Sequence, residues 1–207
     1  MRTTRHDRRA AGPLTLTTVP ILLTPDLDQS PVTRQHAWVD EFFSQVGTAA
    51  NSRMYFLALA GALMIPDICG ALESADGEAT GSRYTVWFDR HVAPLHAYAG
   101  PPVLDGRTCY QFRCSLLHQG TTQHPRSSYS RILFVEPGAT TNVLHMNVVN
   151  DALNIDVHSF CIEMVQAALT WRQSVAGTEP YETNLVKFVT RYPNGLPPYI
   201  GGVPVIS

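Results

Sequence analysis

Eleven consecutive residues, Met54-Tyr55-Phe56-Leu57-Ala58-Leu59-Ala60-Gly61-Ala62-Leu63-Met64, carry no charge and only one polar atom, the Tyr55 hydroxyl. Wound as a helix, such a run is apolar on every side, so it belongs in the middle of something. A membrane span needs ~18 uninterrupted apolar residues and this run is shorter. Pro66 follows closely and is expected to break or kink the helix, because its ring lacks an N–H and crowds the preceding turn. The run therefore predicts a central buried helix with other helices around it, and a mainly α fold.

The flanking patterns supply those helices. Trp38, Val39, Phe42, Phe43 and Val46 recur at intervals of three and four, an amphipathic stripe running from about Thr33 to Gly47, after which Thr48 can cap the central helix. Beyond Pro66, Asp67 to Glu73 reads as a further short helix and Ser74 to Gly77 as a turn. A helix opening at Gly81 carries Tyr84, Trp87, Phe88 and Val92, with Pro94 limiting its end, and Ala99 to Pro102 is a loop. A polar loop, Thr121 to Ser130, precedes an apolar run, Arg131 to Val135. Pro137-Gly138 then signals a turn before an alternating stretch to Val149. This predicts a β-hairpin pairing Arg131–Glu136 with Val143–Val149, inserted before the last long helix. Asn150 to Leu153 reads as a linker. Asn154 or Asp156 can cap a helix to about Ala176, on which Val157, Phe160, Met164, Val165, Ala168 and Trp171 form the buried stripe. The expected organisation is a basic tail and extended segment over 1–32, a helical domain over 33–177, and a Pro/Gly-rich extended tail over 178–207 with a short helix near Glu182–Thr190.

One helix carries chemistry. It opens at Asp105-Gly106 and closes at Gly120, an ordinary residue just past a helix end. On it Arg113 precedes His118 by five positions, about 140° around the axis. Arg is always charged and suits phosphate; His exchanges a proton near neutral pH. Together they are a minimal set for phosphodiester cleavage without a metal. The same two residues are also favoured near a helix C-terminus for their charge alone.

The segment Phe112-Arg113-Cys114-Ser115-Leu116-Leu117-His118-Gln119-Gly120 resembles the Arg-x4-6-His motif of the HEPN superfamily. The resemblance implies a small helical, usually dimeric domain. It also implies a metal-independent endoribonuclease in which the ribose 2′-hydroxyl attacks, Arg113 holds the scissile phosphate and His118 moves protons. A toxin–antitoxin or phage-defence role, RNA as substrate and an antitoxin as partner follow from the same family habit. Cys114 stands where many active members carry Asn, Asp or His, which keeps a second possibility open: a non-catalytic HEPN-like module that binds nucleotide, RNA or a protein. A helical protein unrelated to that family is the third. Asp67, Glu73, Tyr110 and Gln119 are candidate helpers near the pair, and Arg83, Arg90 and Arg126 are candidate phosphate contacts.

Composition adds limits. Charged residues are 15%, low for a globular chain. Some surface is therefore expected to be covered, most simply by a second copy in a homodimer with the site at the subunit interface. The net charge of −2 gives no global pull on nucleic acid, so RNA would need a local basic patch. Arg2, Arg5, Arg8 and Arg9 mark a basic start, and no secretory leader is expected. Cys69, Cys109, Cys114 and Cys161 form no Cys-x-x-Cys pair and read as reduced thiols of a cytoplasmic protein. No cofactor or membrane contact is expected. No metal is expected either: His91 and His96 are five apart, not the four of a helical metal pair, and His145 reads as a surface residue on a strand.

Overall fold

The computed structural model describes residues 31–97, 102–139, 141 and 144–207. The basic tail, the extended segment up to residue 30, most of the loop at Ala99–Pro102 and Val143 lie outside the described residues. The architecture is mainly α. Helices α1 (Pro31–Asn51), α2 (Tyr55–Leu72), α3 (Gly81–His91), α4 (Gly106–Gln119), α5 (Val157–Val175) and α6 (Glu179–Leu185) are joined by a 3-10 turn at Ala93–His96 and a small sheet that packs on α5.

α2 is the central element, packed by α1, α3, α4, α5 and α6. Its shape differs from expectation in three ways. α1 does not stop at Gly47 but runs to Asn51, so Thr48 caps nothing; the turn falls at Ser52–Met54, where Arg53 takes a positive φ of 60°. Pro66 sits inside α2 without ending it, and Asp67 to Leu72 continues the same helix. The longer helix is apolar and long enough to cross a membrane by length and composition, yet half of it is buried against its neighbours. Nor is it buried all round. Ala58, Leu59, Ala62, Leu63, Ile65 and Cys69 face the core, whereas Phe56 (66% exposed), Leu57 (58%) and Met64 (42%) face outward.

The core is aromatic. Trp87, Trp171, Tyr84, Tyr181, Phe43, Phe88 and Phe160 are all essentially inaccessible. Trp87 meets Trp171 edge to face with centroids 6.1 Å apart, and Trp171 meets Tyr181 at 5.7 Å. Such pairs add to the area-driven stabilisation of large buried rings.

The expected hairpin is corrected. β1 (Arg131–Val135), β2 (Asn147–Val149) and β3 (Ala152–Asp156) form a sheet of order β1-β3-β2. β3, taken as linker and cap from the sequence, is the middle strand; β1 runs parallel to it and β2 antiparallel. The hairpin turn is Asn150-Asp151, both at positive φ (51° and 61°), the conformation a tight hairpin turn needs. Polar residues disguised this strand. Asn154 is buried because its Nδ2 donates to the carbonyls of Ala152 and Asn147, and Asp156 ends the strand by accepting from Ser159 N at 2.8 Å as the N-cap of α5.

The C-terminal segment is more structured than an extended tail. Tyr181 and Leu185 of α6 are buried, and Asn184 Nδ2 donates to the carbonyls of Ala71, Leu72 and Ser74 at the end of α2. Two short ribbons follow, β4 (Arg191–Tyr192) with β7 (Val205–Ile206) and β5 (Gly195–Leu196) with β6 (Ile200–Gly201).

Candidate functional site

α4 is held at both ends and from behind. Asp105 accepts from Thr108 N at 2.7 Å, and Gly120 closes the helix at φ 65° with its N–H on Leu116 O. Gly106 lies so close to Thr85 of α3 that a Cβ would collide with that residue's backbone, and its N–H donates to Asp89 Oδ1 at 2.6 Å. The glycine of the Asp-Gly start is thus a packing requirement between helices. Behind the helix, Phe112 packs on Phe134 of β1 at 5.0 Å, and Phe134 on Phe160 at 5.8 Å.

On the open side of α4, Arg113 donates through Nε to Asp67 Oδ2 at 2.8 Å, with Nη2 at the same distance from that oxygen. Its Nη1 lies 3.0 Å from His118 Nε2. A guanidinium can only donate, so His118 accepts at Nε2 and carries its proton on Nδ1. Burial pushes the Asp67 carboxyl above its ordinary value, against the opposing pull of Arg113 and then His118. The arrangement is a chain of three: a carboxylate on α2, a clamped guanidinium, and an exposed imidazole whose Nε2 accepts from that guanidinium.

The other sequence candidates fall at varied places. Tyr110 packs against Tyr84 at 5.3 Å, and burial together with Cys114 raises its phenol, so it stays protonated at neutral pH. Glu73 does not reach Arg113 or His118: it accepts from Trp171 Nε1 at 2.7 Å and pairs with Arg90 at 3.6 Å. Arg83 is bound to Asp76 through both terminal nitrogens. Gln119 and Arg126 are exposed. Cys69, Cys109 and Cys161 are buried free thiols, and Cys114 is half-buried.

Two features escaped sequence reasoning. A cleft of about 260 Å³ opens beside Asp67, walled by Ile68, Leu72 and Phe188, with Lys187 as its basic residue. Lys187 reaches it only because the C-terminal segment folds back, which no local pattern announces. The second is a cluster of two histidines and a carboxylate. His96 Nε2 is 2.8 Å from Glu163 Oε2, and His145 Nε2 is 3.2 Å from the same oxygen. His145 is therefore not a surface residue; its side chain is 10% exposed, and that of His96 is fully buried. His91 takes no part and stacks on Trp87 at 5.1 Å.

Compared with protein-family models, with curated proteins and with solved structures, the chain matches none.

Proposed function

We propose that the chain is a HEPN-like, metal-independent endoribonuclease acting as a homodimer. The observation that carries this is the hydrogen-bonded order Asp67–Arg113–His118 at the end of a pinned helix. Asp67 holds the guanidinium in place. A phosphate oxygen bound to Arg113 Nη1 would then lie beside His118 Nε2, the atom able to take a proton. The ribose 2′-hydroxyl gives its proton to Nε2 as its oxygen bonds to phosphorus. The bond to the 5′-oxygen breaks, and that oxygen leaves with a proton from an imidazolium, either this one or its equivalent in a second copy. The products are a 2′,3′-cyclic phosphate and a 5′-hydroxyl.

The outward stripe of α2 supports the second copy. Phe56, Leu57 and Met64 share an exposed apolar face that leads along the helix towards Asp67, so covering it brings a partner alongside the motif. A toxin or defence role, an antitoxin partner and a cytoplasmic location belong to this same reading.

The test uses a mixed single-stranded RNA pool in excess chelator, with Arg113→Ala and His118→Ala beside the parent and their folds checked by circular dichroism. Cleavage by the parent alone, leaving cyclic-phosphate ends, is the expected result; equal cleavage by all three removes the motif from the reaction. Cys114, a weak hydrogen-bonding neighbour for Arg113, favours the alternative of a non-catalytic binding module. That reading is selected if the parent retains RNA without cutting it and Arg113→Ala releases it.

A further inference from the structure

We infer that His96, His145 and Glu163 form a binding site for a divalent transition-metal ion of the zinc class, with three protein ligands and an open fourth position. The site shares no residue with the Asp67–Arg113–His118 chain and does not rest on the proposed function. Three separate elements build it: the 3-10 turn after α3 gives His96, the segment entering β2 gives His145, and α5 gives Glu163. One ligand atom from each residue lies within 4.8 Å of the other two. Both imidazole Nε2 atoms converge on one carboxylate oxygen, at 2.8 and 3.2 Å. Ligands bound ~2.0–2.1 Å from one tetrahedral ion sit roughly 3.3 Å from each other, so small side-chain shifts would admit an ion.

A hydrogen-bonded triad is the competing account, and the polar atoms count against it. His145 is nine-tenths buried, yet neither of its ring nitrogens makes a hydrogen bond; the 3.2 Å approach of Nε2 to Glu163 is misaligned for one. Buried polar atoms are rarely left this way. A metal bound at His145 Nε2 would give that buried atom the partner it lacks. Two imidazoles with one carboxylate suit zinc, cobalt or nickel rather than magnesium or calcium, which prefer all-oxygen shells. Among the described residues no Lys or Arg pairs with Glu163, so its charge remains for a cation. Three ligands from the chain leave a position for water, the arrangement of exchangeable rather than fully closed zinc sites.

The test takes the full chain, with any purification tag removed and metal stripped by chelator, and titrates it with Co²⁺ and then Zn²⁺. The expected result is one Co²⁺ per chain with the intense visible absorption of tetrahedral cobalt, displaced by Zn²⁺. Glu163→Gln and His145→Ala should each weaken uptake by at least about 100-fold, beyond the loss typical of changing only a ligand's neighbour. These are chosen over a His96 variant because full burial of His96 puts folding at risk. Circular dichroism confirms that both are folded, and His118→Ala serves as a control that should bind like the parent. Uptake by the parent no stronger than by His145→Ala, or uptake that survives in both variants, overturns the proposal.

Discussion

His118 is linked to a carboxylate only through Arg113, whereas His145 lies directly against one, and the two surroundings suit opposite ligands. Beside His118 stands a guanidinium, fixed by Asp67 and donating to the imidazole. A cation arriving there would meet the Arg113 guanidinium, whereas the proposed function has a phosphate bind it. Beside His145 stand a second imidazole, itself buried, and a partly exposed Glu163, with no Lys or Arg paired to that carboxylate among the described residues. On the two proposals above, one added arginine is what separates an anion site from a metal site, and the exposure of each centre fits: His118 is exposed at a helix end, where a polymer could reach it, and His96 and His145 are buried.

The largest expected effect tests whether the centres are separate. Arg113→Ala and His118→Ala should each lower RNA cleavage by about 10²–10⁴-fold while leaving Co²⁺ uptake unchanged, the range that loss of one proton-transfer or charge-stabilising group usually costs. His145→Ala should do the reverse. A variant that removes both activities would mean that the centres are one functional unit. Next in size, Zn²⁺ at 100 times its dissociation constant should stabilise the parent by about 2.7 kcal/mol, seen as a raised melting temperature absent in Glu163→Gln. Smaller again, Asp67→Asn keeps an oxygen to accept from Arg113 but removes a charge whose desolvation outweighs its pairing, so it should change stability in urea denaturation by less than about 1 kcal/mol. The subtlest effect is in pH. Burial raises the Asp67 value in the folded state, so ionising it costs the fold. That cost is absent below the unfolded value and complete above the raised folded one. Between those two points the parent should lose a little stability as pH rises, and Asp67→Asn should lack that component. Separately, Phe56→Arg with Leu57→Glu should convert a dimer to monomer by light scattering; a parent that is already monomeric breaks the subunit-interface part of the proposal.

The contrast also explains what could be read from the sequence. Arg113 and His118 share one helix whose start and stop are written locally in Asp105 and Gly120, and α3 and α5 announce themselves by periodic aromatics in the same way. Local signals failed where distant packing prevailed. Pro66 stays within α2 because that helix is held by neighbours on several sides, and tertiary packing can outweigh a local breaker. β3 was hidden because Asn154 and Asp156 break the apolar pattern of a strand that is nevertheless buried. His96, His145 and Glu163 are separated by 67 positions at the extremes and have no spacing rule to betray them. Only the course of the chain through the sheet brings them together.

Asp156 is at once the last residue of β3 and the cap of α5, so strand and helix meet with no connecting loop. Elsewhere a surface loop absorbs an inserted or deleted residue at little cost. Here there is no slack to absorb one. A single residue gained at this junction would turn the helix by about 100°, swinging Glu163 away from both histidines while the strand stayed paired. Length at this point of the chain is therefore as strict a requirement as the identity of any ligand, and related sequences should vary in length on the exposed side of the sheet, not here.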